Sequence, residues 1–303
     1  MKTKIMIVAL LLLAACVPLI PTKQSIVIPK IYEGSQGVDV WFVQNAPPND
    51  VFEGQLFGVA FSLENKGASD IENGVYVIGL PNELTARESV VGRFNLKGKS
   101  MFNPFGESKI IKISSRAGEL AQQVARVPVG LGVDVCYPYH TELSTQVCIN
   151  PEPTIVSKPK TVCTPSAQSF SGQGAPVAIT RVDVPQILPL DNPALIQPQI
   201  TLNIKNVGKG FVVDKSRFAD ACTPRGGKDL FNIVRVSGWL SELSLDCHPQ
   251  ELRLSDKENT VVCSVPSGLE KARGNHLALL NLKLDYGYVD KKTKQIYVKK
   301  ALV

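Results

Sequence analysis

The sequence repeats itself, and this constrains its fold more than any other feature, because the second half must accept whatever structure suits the first. Phe61-Ser62-Leu63-Glu64-Asn65-Lys66-Gly67 aligns with Leu202-Asn203-Ile204-Lys205-Asn206-Val207-Gly208. Further on, Cys136-Tyr137-Pro138-Tyr139 aligns with Asp285-Tyr286-Gly287-Tyr288, and Gln146-Val147-Cys148-Ile149 with Gln295-Ile296-Tyr297-Val298. Asn65, Gly67, Asn206 and Gly208 mark a strand leaving into a turn, where Asn tolerates and Gly prefers left-handed dihedrals. Tyr137, Tyr139, Tyr286 and Tyr288 mark a later strand, expected to pair with the following one as a hairpin.

The patterning between these marks is that of strands. Phe57, Val59, Phe61 and Leu63 alternate with smaller or polar residues, as do Ile200, Leu202 and Ile204, so one sheet face is buried. Short apolar runs bounded by Gly, Pro or Asn follow at short spacing, and long amphipathic patterns are missing; Glu119–Arg126 has room for one or two helical turns before Pro128. The expected fold class is all-β, with two tandem Ig-like β-sandwich domains at 37–150 and 177–303. The proline-bearing segment 151–176 reads as a linker and 16–36, with Pro18, Pro21 and Pro29, as a short stalk.

Before the stalk, Lys2 and Lys4 precede an uncharged run from Ile5 to Ala15, the pattern of a signal peptide (1–15). The run ends in Leu13-Ala14-Ala15-Cys16, which resembles the lipobox of prokaryotic lipoproteins; the resemblance implies lipidation of Cys16. An uncleaved N-terminal transmembrane helix is the open alternative, and either one tethers the chain to a membrane. The remaining cysteines, Cys136, Cys148, Cys163, Cys222, Cys247 and Cys263, form an even set, which in an exported chain reads as a disulfide framework. The hairpin would place Cys136 opposite Cys148; Cys247 and Cys263 bracket a loop; Cys163 and Cys222 pair by elimination. Fifteen pairings are formally open.

The Asn-x-Gly strand ends, chiefly residues 55–80 and 198–215, resemble CARDB-type and related Ig-like modules of prokaryotic surface proteins. Lipobox, stalk and tandem β-domains together resemble envelope lipoproteins of archaea. That resemblance implies an architecture and a location, the outer face of the cytoplasmic membrane or the cell surface. It transfers no functional residues.

Catalytic and cofactor patterns are missing. His140, His248 and His276 have no metal-ligand spacing, no Cys-x-x-Cys occurs, and there is neither a Gly-x-Ser-x-Gly nor a P-loop. Gly172-Gln173-Gly174 leads into a proline rather than a helix. Asp70, Glu72 and Asn73 read as a solvated turn rather than a calcium loop, and Trp41, Phe42, Phe52 and Phe57 as core rather than a glycan platform. The net charge of +6, to which Lys2 and Lys4 contribute, is too mild for a nucleic-acid binder. Lys291, Lys292, Lys294, Lys299 and Lys300 fit a charged edge hairpin.

The expectation is therefore a non-enzymatic, lipid-anchored surface protein without cofactor, catalytic or metal site. It would act as an adhesion, spacer or assembly module on a protein or glycan partner in the envelope. Alternatives are an accessory subunit of a pilus, secretion or S-layer complex, its final strand free to pair with a partner, and, from another class, a secreted hydrolase or solute-binding lipoprotein.

Overall fold

The computed structural model describes residues 31–151, 162–223, 226–255 and 259–301. The signal segment, Cys16, residues 16–30 of the stalk, residues 152–161 of the linker and Leu302-Val303 lie outside them. The described chain is all-β, with 59% of it in strands and 5% in helix, as the alternating patterning requires. The first half forms β1 (Val38–Phe42), β2 (Asp50–Phe52), β3 (Leu56–Asn65), β4 (Ile71–Gly79), β5 (Leu84–Ala86), β6 (Val91–Leu96), β7 (Ser108–Ala117) and β8 (Arg126–Ile149). The second half forms β9 (Gln168–Ser169), β10 (Val177–Pro189), β11 (Leu195–Asn206), β12 (Phe211–Val213), a short helix α1 (Phe218–Ala221), β13 (Ile233–Leu240), β14 (Leu243–Ser244), β15 (Asp246–His248), β16 (Glu251–Arg253), β17 (Asn259–Ser264), β18 (Leu269–Glu270) and β19 (His276–Lys299). Residues 119–126 form no helix.

Each half has a sheet of its own, ordered β1-β3-β7-β5 in the first and β15-β17-β11-β10-β9 in the second. A third sheet, ordered β14-β13-β19-β8-β4-β6, belongs to both. Its centre is the antiparallel pair β8 and β19, matched over all 24 residues from Arg126↔Lys299 to Ile149↔His276. At about 3.4 Å per residue this ribbon is roughly 80 Å long. Pro138 pairs with Gly287, its own equivalent in the repeat, so the two halves are related by a local two-fold at the point where the strands cross.

The expected hairpins therefore do not form. Each chain segment runs straight on, so that Gln146–Ile149 pairs with His276–Leu279 and Gln295–Val298 with Val127–Gly130. The final strand of each repeat has been exchanged with that of the other half. Thr141-Glu142-Leu143-Ser144-Thr145 contains no Gly, Pro or Asn to make a turn, and Thr141 and Leu143 continue the inward alternation of Val129, Leu131, Val133, Val135, Tyr137 and Tyr139. Ala278 through Tyr288 alternate inward in the same way. A single core cluster consequently takes residues from both halves, among them Phe61, Leu63, Leu131, Ile200, Leu202 and Leu282.

Running straight also corrects the cysteine pairing. Cys136 and Cys148 lie twelve residues apart on one continuous strand, about 40 Å, far beyond disulfide reach. Cys136 instead bonds Cys222, which α1 presents on the outer face of the shared sheet, where both pack with Val75, Val213 and Val289. Cys148 bonds Cys163, whose backbone N–H and carbonyl are both held by the Asn275 side chain at 2.8 and 2.9 Å. Cys163 and Cys222 thus do not pair with each other. Cys247 bonds Cys263 across directly opposed positions of β15 and β17. Three disulfides fit an oxidising compartment outside the cytoplasm.

Nor is the last strand a free edge. Besides β8, β19 pairs with β13, β12 and, in parallel, β2. Four of the five lysines at this end meet acids or carbonyls: Lys291 with Asp134 at 3.2 Å, Lys299 with Asp50 and Lys300 with Glu53 at 3.0 Å, and Lys294 Nζ donating to the Pro47 carbonyl at 2.7 Å.

Candidate functional site: the tyrosine crossing and its cleft

The four repeat tyrosines meet where β8 and β19 cross. Tyr137 pairs with Tyr288 and Tyr139 with Tyr286, and all four are buried, with ring centroids 5.6–6.4 Å apart in edge or tilted arrangements. Each hydroxyl is spoken for twice, and the two-fold reproduces most of the partners. Tyr139 accepts from the Ser69 N–H (3.3 Å) and donates to Asn65 Oδ1 (3.3 Å); Tyr288 accepts from Gly210 N–H (2.8 Å) and donates to Asn206 Oδ1 (3.1 Å). Tyr137 accepts from Val38 N–H (2.9 Å), and Tyr286 from Val177 N–H (3.4 Å). Burial pushes all four phenols upward, Tyr137 and Tyr286 furthest, so they stay protonated donors.

The turns on which these tyrosines rest are closed by side chains. Asn65 Oδ1 accepts from Gly67 N–H at 3.2 Å and its Nδ2 donates to the Ser69 carbonyl; Asn206 does the same with Gly208 N–H, at 3.2 Å, and the Gly210 carbonyl. Neither asparagine nor either glycine adopts a positive φ, so the expectation of left-handed dihedrals was incorrect. The glycines are required by close approach. A Cβ on Gly67 would collide with the Tyr139 hydroxyl and lie 2.6 Å from the carbonyl oxygens of Gln36 and Gly174; one on Gly208 would collide with the Tyr288 hydroxyl. Gly67→Ala is expected to cost about 1–3 kcal/mol by overpacking. Gly130→Ala, where nothing lies within 4 Å, is the matched control. Urea midpoints that fall equally for both would remove the close-approach explanation.

The two-fold fails at one position. The donor bond from Tyr286 ends on Thr141 Oγ1 at 2.9 Å, since Thr141 itself donates to the Val177 carbonyl; the equivalent bond from Tyr137 ends on Asp290 Oδ2 at 2.6 Å. Asp290 continues the inward alternation of β19 and so places a carboxyl where its mate places a hydroxyl. Burial pushes its pKa up to about 7; the Tyr137 hydrogen bond acts against this and the charge of Asp39 adds to it. Beside Asp290 opens a cleft of about 410 Å³ lined by Gly37, Asp39, Pro176, Lys209 and Lys292 among others. A carboxyl whose pKa burial raises to about 7 thus borders a cleft whose Lys209 and Lys292 ammoniums and backbone groups suit a polar or anionic ligand group.

The other residues singled out from sequence are dispersed. Among the described residues no cluster of His, Cys, Asp or Glu is placed to hold a metal. Cys247 is in a disulfide, and His248 pairs with Asp246 at 2.9 Å. Asp70 pairs with Lys97 and accepts from Gly98 N–H, both at 2.8 Å. Phe57 is core and Phe52 half exposed, while Trp41 lies under the Lys66 ammonium, 5.6 Å from its ring centroid. The Gln173 side chain, buried in the Gly172–Gly174 turn, bonds both the N–H and the carbonyl of Ile179. Sequence reasoning missed Asp290. The signal was present: it aligns with Thr141 in the repeat and falls on the inward phase of its strand.

No protein-family model matches the chain, and no curated protein matches it. Among solved structures, the CupB6 tip adhesin from Pseudomonas aeruginosa aligns at 10% identity over 90% of this chain and 97% of that one, with a TM-score of 0.16. A superposition that loose carries no argument about fold or role.

Proposed function

We propose that this protein is a non-catalytic lipoprotein of the cell envelope, tethered through Cys16, in which two Ig-like β-sandwich halves form a stiff body that spaces or presents a binding surface to a protein or glycan partner. The observation that carries the reading is the covalently stapled, shared β-ribbon. A continuous 24-residue pairing whose strand β8 is tied by two disulfides, to Cys222 and to Cys163, resists bending, which suits a presenting element more than an enzyme that must close over substrate. The Leu13-Ala14-Ala15-Cys16 sequence and the disulfides agree on an extracytoplasmic location. The CARDB-like likeness of the Asn-x-Gly segments supports the Ig-like reading.

Intact-mass measurement on protein extracted from membranes is expected to find a chain starting at a diacylglyceryl-modified Cys16 and six hydrogens short, and Cys16→Ala is expected to lose the lipid. A mass that retains Met1 overturns the lipid anchor.

A further inference from the structure

Residues 99–106 form a turn that displays apolar side chains to solvent. Phe102 is 101% exposed, Phe105 78% and Met101 60%. The turn is ordered by its own backbone: Ser100 and Asn103 exchange N–H to carbonyl bonds at 2.9 and 3.2 Å, Gly106 N–H donates to the Asn103 carbonyl, and Glu107 N–H to that of Lys97. Isolated exposed apolar residues are ordinary, but three on one hydrogen-bonded turn form a patch. Lys99 and the exposed Lys109 flank it; Lys97 is occupied by Asp70.

The root of this turn touches the place where the N-terminal segment enters the body. Lys99 N–H donates to the Gly67 carbonyl and Ala68 N–H to that of Gly174, each at 2.8 Å, and Gly174 packs against the Ile31 backbone. Tyr32, next along, is 60% exposed. Only the fourteen residues 17–30 separate Cys16 from Ile31, a reach of at most about 50 Å. The patch is thus within reach of any membrane that carries Cys16. Aromatic and Met side chains beside lysines suit the headgroup layer, where rings bury partly and ammoniums meet anionic lipid.

We infer that the 99–106 turn is a second membrane contact, in which Met101, Phe102 and Phe105 enter the interface of the bilayer that holds the lipid. This rests on the anchor reading and adds an orientation: the body is held by two points.

The test uses the full-length lipidated protein in vesicles of zwitterionic and anionic phospholipid with brominated acyl chains. Phe102→Trp, or Phe105→Trp as a second variant, is expected to be quenched several-fold more than Leu277→Trp, whose site is half exposed near one end of the ribbon, after subtraction of the native Trp41 and Trp239 signal. Equal quenching at 102 and 277, or none at 102 in protein whose mass shows the lipid, overturns the inference while leaving the anchor intact. Crosslinking of two copies through position 102 would also overturn it, assigning the patch to self-association. Protein whose mass lacks the lipid refutes the anchor itself.

Discussion

Cys136→Ala/Cys222→Ala is expected to be the most damaging disulfide removal in this protein. The Cys136–Cys222 bond spans 86 residues, and on the loop-closure account it removes roughly 4–5 kcal/mol of unfolded-state entropy. The Cys148–Cys163 and Cys247–Cys263 bonds, spanning 15 and 16 residues, remove about 3 kcal/mol each. The native state adds to the difference, because Cys136 and Cys222 are themselves buried in the small outer cluster that holds α1 against the shared sheet. Urea unfolding of the two double variants, Cys136→Ala/Cys222→Ala and Cys247→Ala/Cys263→Ala, decides the matter. A loss at Cys136–Cys222 no greater than at Cys247–Cys263 would contradict the long-range role. Amide exchange in the double variant is expected to quicken around 218–222 before it quickens in β8.

The second large effect is a pH dependence centred on Asp290. Its pKa is about 7 in the folded protein against an ordinary 3.8, so the folded state holds its proton more tightly than the unfolded chain does. The stability contributed by the neutral carboxyl is full below about pH 4 and is lost progressively as pH rises through 7. The ceiling is about 4 kcal/mol, and the remaining exposure of the side chain lowers it to about half that. Asp290→Asn keeps an acceptor for the Tyr137 hydroxyl without the charge. It is expected to be about 2 kcal/mol more stable than wild type at pH 8, with the advantage shrinking toward pH 4. Denaturation curves at pH 4, 6 and 8 that run parallel for both proteins would rule the carboxyl out as the source. An anionic group in the cleft would favour the neutral form of Asp290, so binding there is expected to weaken as pH rises through 7.

Both effects arise at the crossing of the two long strands, which is also where sequence and tertiary structure part company. Period-two alternation in β3 and β11 is a local property of each segment and sufficed to specify strands, their buried faces and the all-β class. The internal match was equally legible: the Asn-x-Gly turns and the Tyr-x-Tyr pairs occupy equivalent places and make nearly the same hydrogen bonds. Local pattern also sufficed for Cys247 and Cys263, whose strands are close in sequence.

Only the tertiary structure decided where each repeat sends its last strand. A strand's alternation states which face is buried and not which neighbour lies beside it, so a hairpin and an exchange between halves satisfy the same sequence. The choice lies with Thr141–Thr145 and Asp290–Lys294, which contain no Gly, Pro or Asn, and with the pairing gained by running straight. From that choice follow the partners of Cys136 and Cys148, the burial of β19 among four strands, and the placing of Asp290 within hydrogen-bond reach of Tyr137. None of these can be read from a segment alone, because each depends on contacts between residues more than 70 positions apart or on a chain that fails to turn.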